Sequence, residues 1–140
     1  DARLWLVTWL IAAVTALAVA VAGIVLKSRA LGTPVLSGPA RRFALGFVPP
    51  LVAGAAQTQA QYRSGDVASL PAVWLLLYGA AVLAGGALSV PPVPAMGACF
   101  MALGMAALAT PPAWANLWLG LGFGLLHIGF GIWIAVKYGG

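Results

Sequence analysis

The chain has 140 residues, 63% of them hydrophobic and only 6% charged, with seven Lys and Arg against two acids and a net charge of +5. Soluble domains carry roughly a quarter charged residues, so this composition, with a mean hydropathy of +1.03, points to an integral membrane protein. The basic residues stand at segment ends, in no block longer than Arg41-Arg42, which fits topology signals and anionic headgroups and argues against nucleic acid as a partner.

Five apolar segments predict an all-α bundle of five transmembrane helices, 4–26, 43–62, 72–89, 94–110 and 113–137, in a single domain 1–140 with no soluble part. The first segment is uncharged and ends at Lys27 and Arg29. Its length of about 23 residues suits a spanning helix better than a signal-peptide core. Thr8, Ala12, Ala16 and Ala20 form a ladder of small residues at four-residue spacing, suited to close helix contact. The link from Ser28 to Arg42, with Gly32, Pro34, Gly38 and Pro39, reads as a surface loop.

The second segment contains Pro49-Pro50, followed by Gln57, Thr58, Gln59 and Gln61. The proline pair removes two backbone donors and is expected to kink or break the helix. Arg63 to Pro71 is a short polar loop. The third segment carries Trp74 and Tyr78, with Ala81, Gly85 and Ser89 as a second small-residue seam. Val90-Pro91-Pro92-Val93-Pro94 makes a stiff turn into the fourth, where Ala98, Ala102 and Ala106 form a third seam. Pro111-Pro112 makes another turn into the last segment.

That last segment holds the only histidine, His127. At helical spacing Ala113, Asn116, Gly120, Gly124, His127, Gly131 and Ala135 are read on one face. Leu119, Phe123, Leu126, Phe130 and Trp133 are read on the opposite, bulky one.

Five crossings sort the charges. Lys27, Arg29, Arg41, Arg42 and Lys137 fall on one side, Arg3 and Arg63 on the other. The positive-inside rule then sets the N-terminus outside and the C-terminus cytoplasmic. Trp5, Trp9, Trp74, Trp114, Trp118 and Tyr62 gather at the less basic interface as an aromatic belt. Richness in Ala, Gly, Val and Arg suits a GC-rich genome, and the expected location is a bacterial cytoplasmic membrane.

Polar residues within the segments sort the same way. Thr8, Gln57, Gln61, Tyr78 and Asn116 lie in the belt half, with His127 near mid-depth. Polar groups in membranes face the bundle interior or a wet cavity. These six are therefore expected to line a polar pocket open to the belt side, with His127 at its floor. The alternative is a private interhelical hydrogen bond for each. For His127 three roles compete: packing, part of a ligand or proton path, and ligation of a haem or chlorophyll-type pigment on its glycine-rich face.

Enzyme chemistry is not expected. Asp1 and Asp66 sit at water-exposed ends, so no carboxylate pair serves acid–base work or a divalent metal. One Cys (Cys99) and one His cannot build a zinc site, and no acid lies at the depth of His127 to complete a triad.

The stretch Pro71-Ala72-Val73-Trp74-Leu75-Leu76-Leu77-Tyr78 resembles a Pro–Trp–Leu–Tyr stretch of the tryptophan-rich sensory (translocator) proteins. Those are five-helix membrane proteins of comparable size that bind porphyrins and other apolar ligands. The likeness spans eight residues of 140. The spacing of the other segments and Pro49-Pro50 depart from that family, so membership is not assigned.

Two function classes follow. One is a non-catalytic membrane protein that binds or passes a small apolar or amphipathic ligand through the belt-side pocket. The other is a structural subunit of a homo-oligomer or larger membrane complex, packed through Gly and Ala seams. Convergence of Gln57, Tyr78, Asn116 and His127 favours the first. Seams of small residues left open on the surface favour the second.

Overall fold

The computed structural model describes residues 1–35 and 38–139. Among them the secondary structure is helical throughout. The helices are α1 (Ala2–Ala30), α2 (Gly38–Ser64), α3 (Leu70–Gly86), α4 (Pro92–Leu108) and α5 (Pro112–Tyr138). The chain divides into two compact units, residues 1–41 and 42–140.

Among the described residues three helices are long and apolar enough to cross a membrane: α1, α3 with the 3-10 turn before it (Val67–Gly86), and α5. The α4 helix is apolar but has 17 residues. With 27 residues α2 has the length, but Arg41-Arg42 at its start and the glutamine-rich run before Arg63 dilute its apolar stretch.

In the first unit, the Asp1 carboxylate caps α1 by accepting the Arg3 N–H at 2.9 Å. Lys27 and Arg29 sit in the last turn, where cations complement the exposed carbonyls of the helix end. Thr8 and Thr15 donate to carbonyls of their own helix, Leu4 and Ile11, at 2.8 Å.

The helix boundaries depart from expectation at prolines. The expected loop 28–42 is short: α1 continues to Ala30, and Gly38 to Arg42 belong to α2; Leu36 and Ser37 lie outside the described residues. Pro39 falls in the first turn of α2, where no intrahelical donor is required. Nor does Pro49-Pro50 break α2, which stays helical from Gly38 to Ser64. The pair frees the carbonyls of Leu45 and Gly46, which membrane helices tolerate when neighbours lie close. The α3 helix ends at Gly86, so Ser89 lies outside it and is exposed. Gly65 joins α2 to the turn before α3 at φ +79, a left-handed conformation that disfavours side-chain-bearing residues.

The second unit is organised around α3. Leu70, Leu75 and Ala81 on it are fully buried, as are Phe100 on α4 and Leu119 on α5. Helices surrounded by lipid are held by close packing rather than by expulsion of water, since lipid is as apolar as leucine. Glycine supplies the closeness. A methyl group at Gly79 would lie 2.7 Å from the Gly97 carbonyl oxygen, and one at Gly97 would lie 2.6 Å from the Leu83 nitrogen. At Gly104 it would meet Leu76, and at Gly86 it would meet Val93. On the other flank Gly46 of α2 abuts the backbone of Ala84, and Gly85 abuts Phe43 and Phe47.

The expected seam of Ala98, Ala102 and Ala106 is not this contact. Ala98 and Ala102 are exposed, whereas Gly97, Phe100 and Gly104 are buried. Lines of alanines and glycines run side by side on α4, and the residue without a Cβ permits the closer approach.

Replacing Gly97 with Ala should destabilise the protein by about 1–3 kcal/mol through overpacking, whereas Gly23→Ala, whose added methyl meets nothing within 4 Å, should be neutral or mildly stabilising. Unfolding in detergent, followed by helical circular dichroism, compares the two.

Candidate functional site

The α5 helix is not uniformly α-helical. After a 3-10 turn (Pro112–Trp114) and an α-helical turn (Ala115–Leu119), Gly120–Leu126 forms a π-helix, and His127–Tyr138 resumes the α form. The wider i→i+5 turn is rare and often marks functional sites. Gly120, Gly122 and Gly124 give this stretch weak α preference and little bulk. Gly122 is buried against α3 and α4: a methyl there would lie 2.5 Å from Leu75 Cδ2 and 3.0 Å from Phe100 Cε1.

The π turn delivers His127 to α3. Tyr78 Oη and His127 Nε2 are 2.7 Å apart, with the tautomer setting which of them donates. Three further rings, Phe47, Phe100 and Phe123, close around this bond. Tyr78 lies 4.8 Å from Phe100 and 5.0 Å from Phe123 between centroids, and His127 lies 5.3 Å from Phe100. Phe123 stacks on His127 at 6.1 Å, and Phe47 of α2 meets Tyr78 edge-on at 5.9 Å. The offset and edge contacts are those that aromatic quadrupoles favour.

The expected faces of α5 need correction here. Phe123 and His127 were assigned to opposite faces, yet their rings stack. Residues four apart return to within roughly a tenth of a turn of each other in α and π turns alike, so they share a face.

Of the six expected pocket residues, five lie in the second unit. Tyr78 and His127 meet. Thr8 belongs to the first unit and bonds its own helix. Gln57 and Asn116 are exposed, and Gln61 is half-buried with its Oε1 buried and unbonded. The centre of the second unit is therefore filled by rings rather than hollow. Nor does the arrangement suit axial ligation of a haem or pigment: Tyr78 occupies His127 Nε2. His127 Nδ1 is buried and has no hydrogen-bond partner among the described residues. Among the described residues no group of three or more His, Cys, Asp or Glu is placed to hold a metal.

Two hydroxyl–indole bonds were not anticipated. Trp74 Nε1 donates to Thr58 Oγ1 at 2.8 Å, and Thr58 Oγ1 donates to the Gly54 carbonyl at 2.8 Å. Trp118 Nε1 donates to Thr110 Oγ1 at 2.7 Å. Each threonine stands near the end of its segment opposite a belt tryptophan, a pairing visible in sequence only after the helices are set antiparallel. Trp118 and Thr110 border a cleft of about 220 Å³ at the belt end, whose lining includes Asp66, Ser69, Pro71 and Ala115. Ser69 Oγ donates to the Asp66 carboxylate at 2.8 Å. None of the six expected residues lines it.

No known protein family, curated protein or solved structure matches the chain. The resemblance of Pro71 to Tyr78 to the translocator proteins thus stays confined to those eight residues.

A double-mutant cycle of Tyr78→Phe and His127→Leu should give a coupling of about 0.6–1.7 kcal/mol, from the average to the maximum found for interhelical hydrogen bonds in membranes. Unfolding in detergent measures it; zero coupling would mean that the pair adds nothing beyond its ring contacts.

Proposed function

We propose that the chain is a non-catalytic structural subunit of a membrane complex, in its simplest form a homo-oligomer, joined through the glycine face of α5. The supporting observation is a contrast between two sets of glycines. At Gly46, Gly79, Gly85, Gly97, Gly104 and Gly122 an added methyl would collide with a neighbouring helix, whereas at Gly120, Gly124 and Gly131 it would meet nothing within 4 Å. Glycine weakens a helix by about 1 kcal/mol relative to alanine. In this chain that cost is offset by contact at the first set and not at the second. An identical helix approaching the bare face would offset it there, as small-residue interfaces do in membranes. Identical copies also bring identical faces, so a two-fold contact is self-complementary.

In this reading the chain crosses the bilayer five times, with α2 and α4 as the remaining crossings. Five basic residues against two favour a cytoplasmic C-terminus, in the cytoplasmic membrane of a bacterium. The start of α3, the end of α4 and the start of α5 share one end of the second unit, where they border the cleft. That agrees with a single tryptophan-rich interface.

A second reading, binding of a small amphipathic molecule, is supported by the belt-end cleft rather than by the bundle centre.

The first reading is tested by Gly124→Ile and Gly131→Ile. Light scattering in a mild detergent, with detergent mass subtracted, should find an oligomer for the wild type and a monomer for the double variant, with helix content unchanged. Equal masses for the two would overturn it.

A further inference from the structure

We propose that the cleft beside Trp118 binds a small amphipathic amine, with Asp66 as counter-ion to its ammonium group and the Trp118 indole against its apolar body. The proposal rests on the second reading above, that this cleft takes an amphipathic ligand, and adds the charge and size of that ligand.

Charge is the first argument. The chain holds two carboxylates, Asp1 and Asp66, against seven basic side chains. A cation is therefore repelled by most of the molecule, and within the second unit Asp66 is the attracting group. Its carboxylate accepts from Ser69 Oγ at 2.8 Å, and a carboxylate has lone pairs for several further donors. Ser69 Oγ also lies 3.3 Å from the Asp66 carbonyl, so this bond fixes the carboxylate to its own turn. The cation nearest in sequence, Arg63, is directed elsewhere. With the Gln59 amide turned so that its oxygen accepts, Arg63 Nε donates to it at 2.9 Å.

The second argument is the aromatic wall. The bond from Trp118 Nε1 to Thr110 Oγ1 uses the indole's sole donor and holds the ring in place. Thr110 is tied in turn to the Ala107 carbonyl at 3.2 Å. An indole is the strongest side-chain partner for a cation or an apolar ring lying against its face. The rest of the lining is apolar, with Pro71 and Ala72 buried beneath it.

Size is the third. A cleft of about 220 Å³ falls below the roughly 300–1,000 Å³ of sites for drug-sized ligands. A single ring with a short amine arm fits that limit; a porphyrin or a long lipid does not. The cleft opens where the loops meet the tryptophan-rich interface, the level at which an amphipathic amine concentrates in a bilayer.

The test uses the full chain in lipid nanodiscs, titrated calorimetrically with phenethylamine and with its neutral counterpart 2-phenylethanol, after subtraction of empty nanodiscs. The amine should bind about tenfold more tightly than the alcohol, as expected for a hydrogen bond to a charged group. Asp66→Asn, which can still accept from Ser69, should reduce the amine to the affinity of the alcohol and leave the alcohol unchanged. Ala68→Leu, on the exposed 3-10 turn that borders the cleft, should abolish both. Equal binding of the two probes, indifferent to Asp66→Asn but lost in Ala68→Leu, would overturn the amine assignment and leave the amphipathic-ligand reading standing. Binding of both probes unaffected by Ala68→Leu, or no binding of either, would overturn both.

Discussion

The contact between α3 and α4 at Gly79 and Gly97 governs the second unit. In a bilayer, apolar side chains gain little by leaving lipid for protein, so helices associate where their surfaces fit closely. Here the two backbones approach so nearly that neither glycine has room for a methyl group. That closeness sets Phe100 of α4 against Tyr78 of α3. It also leaves a groove into which Gly122 of α5 settles against Leu75 and Phe100. The ring cluster and the hydrogen bond between Tyr78 and His127 are consequences of that fit.

The π-helical turn is the second constraint. A regular α-helix with Gly122 seated against α3 would carry His127 round at the ordinary rate of rotation. The wider turn slows that rotation, and the imidazole remains on the side of Tyr78. The glycines that permit the turn divide into two groups. Gly122 is enclosed, and Gly120 and Gly124 look outward with nothing near them. The same short stretch thus serves an internal contact and presents a surface, which is why one sequence pattern supported two functional readings.

Helix number and apolar character were legible because both follow from runs of residue types. The exact seams were not. Alanine ladders such as Ala98-Ala102-Ala106 satisfy the same spacing rule as the glycines that pack, and the rule alone does not rank them. Pro49-Pro50 read as a breaker because propensity is local, while the close presence of Ala84 and Gly85 of α3 is not. The six polar residues were grouped by depth, and depth leaves angle around the bundle undetermined. Tyr78 and His127 meet, whereas Gln57 and Asn116 are exposed. The cleft was not legible because its members, Asp66, Ser69, Thr110 and Trp118, come from two connections and the start of α5, far apart in sequence.

The proline pair in α2 has a mechanical consequence. On one side of it Phe43, Gly46 and Phe47 lie against Ala84 and Gly85; on the other Thr58 is tied to Trp74. The helix resembles a beam pinned near both ends, with two rungs of its ladder missing between the pins. Its bending stiffness is lowest there. A bending load on α2 is then absorbed as flexure in the middle of this one helix, while the glycine contacts of α3 with α4 keep their register.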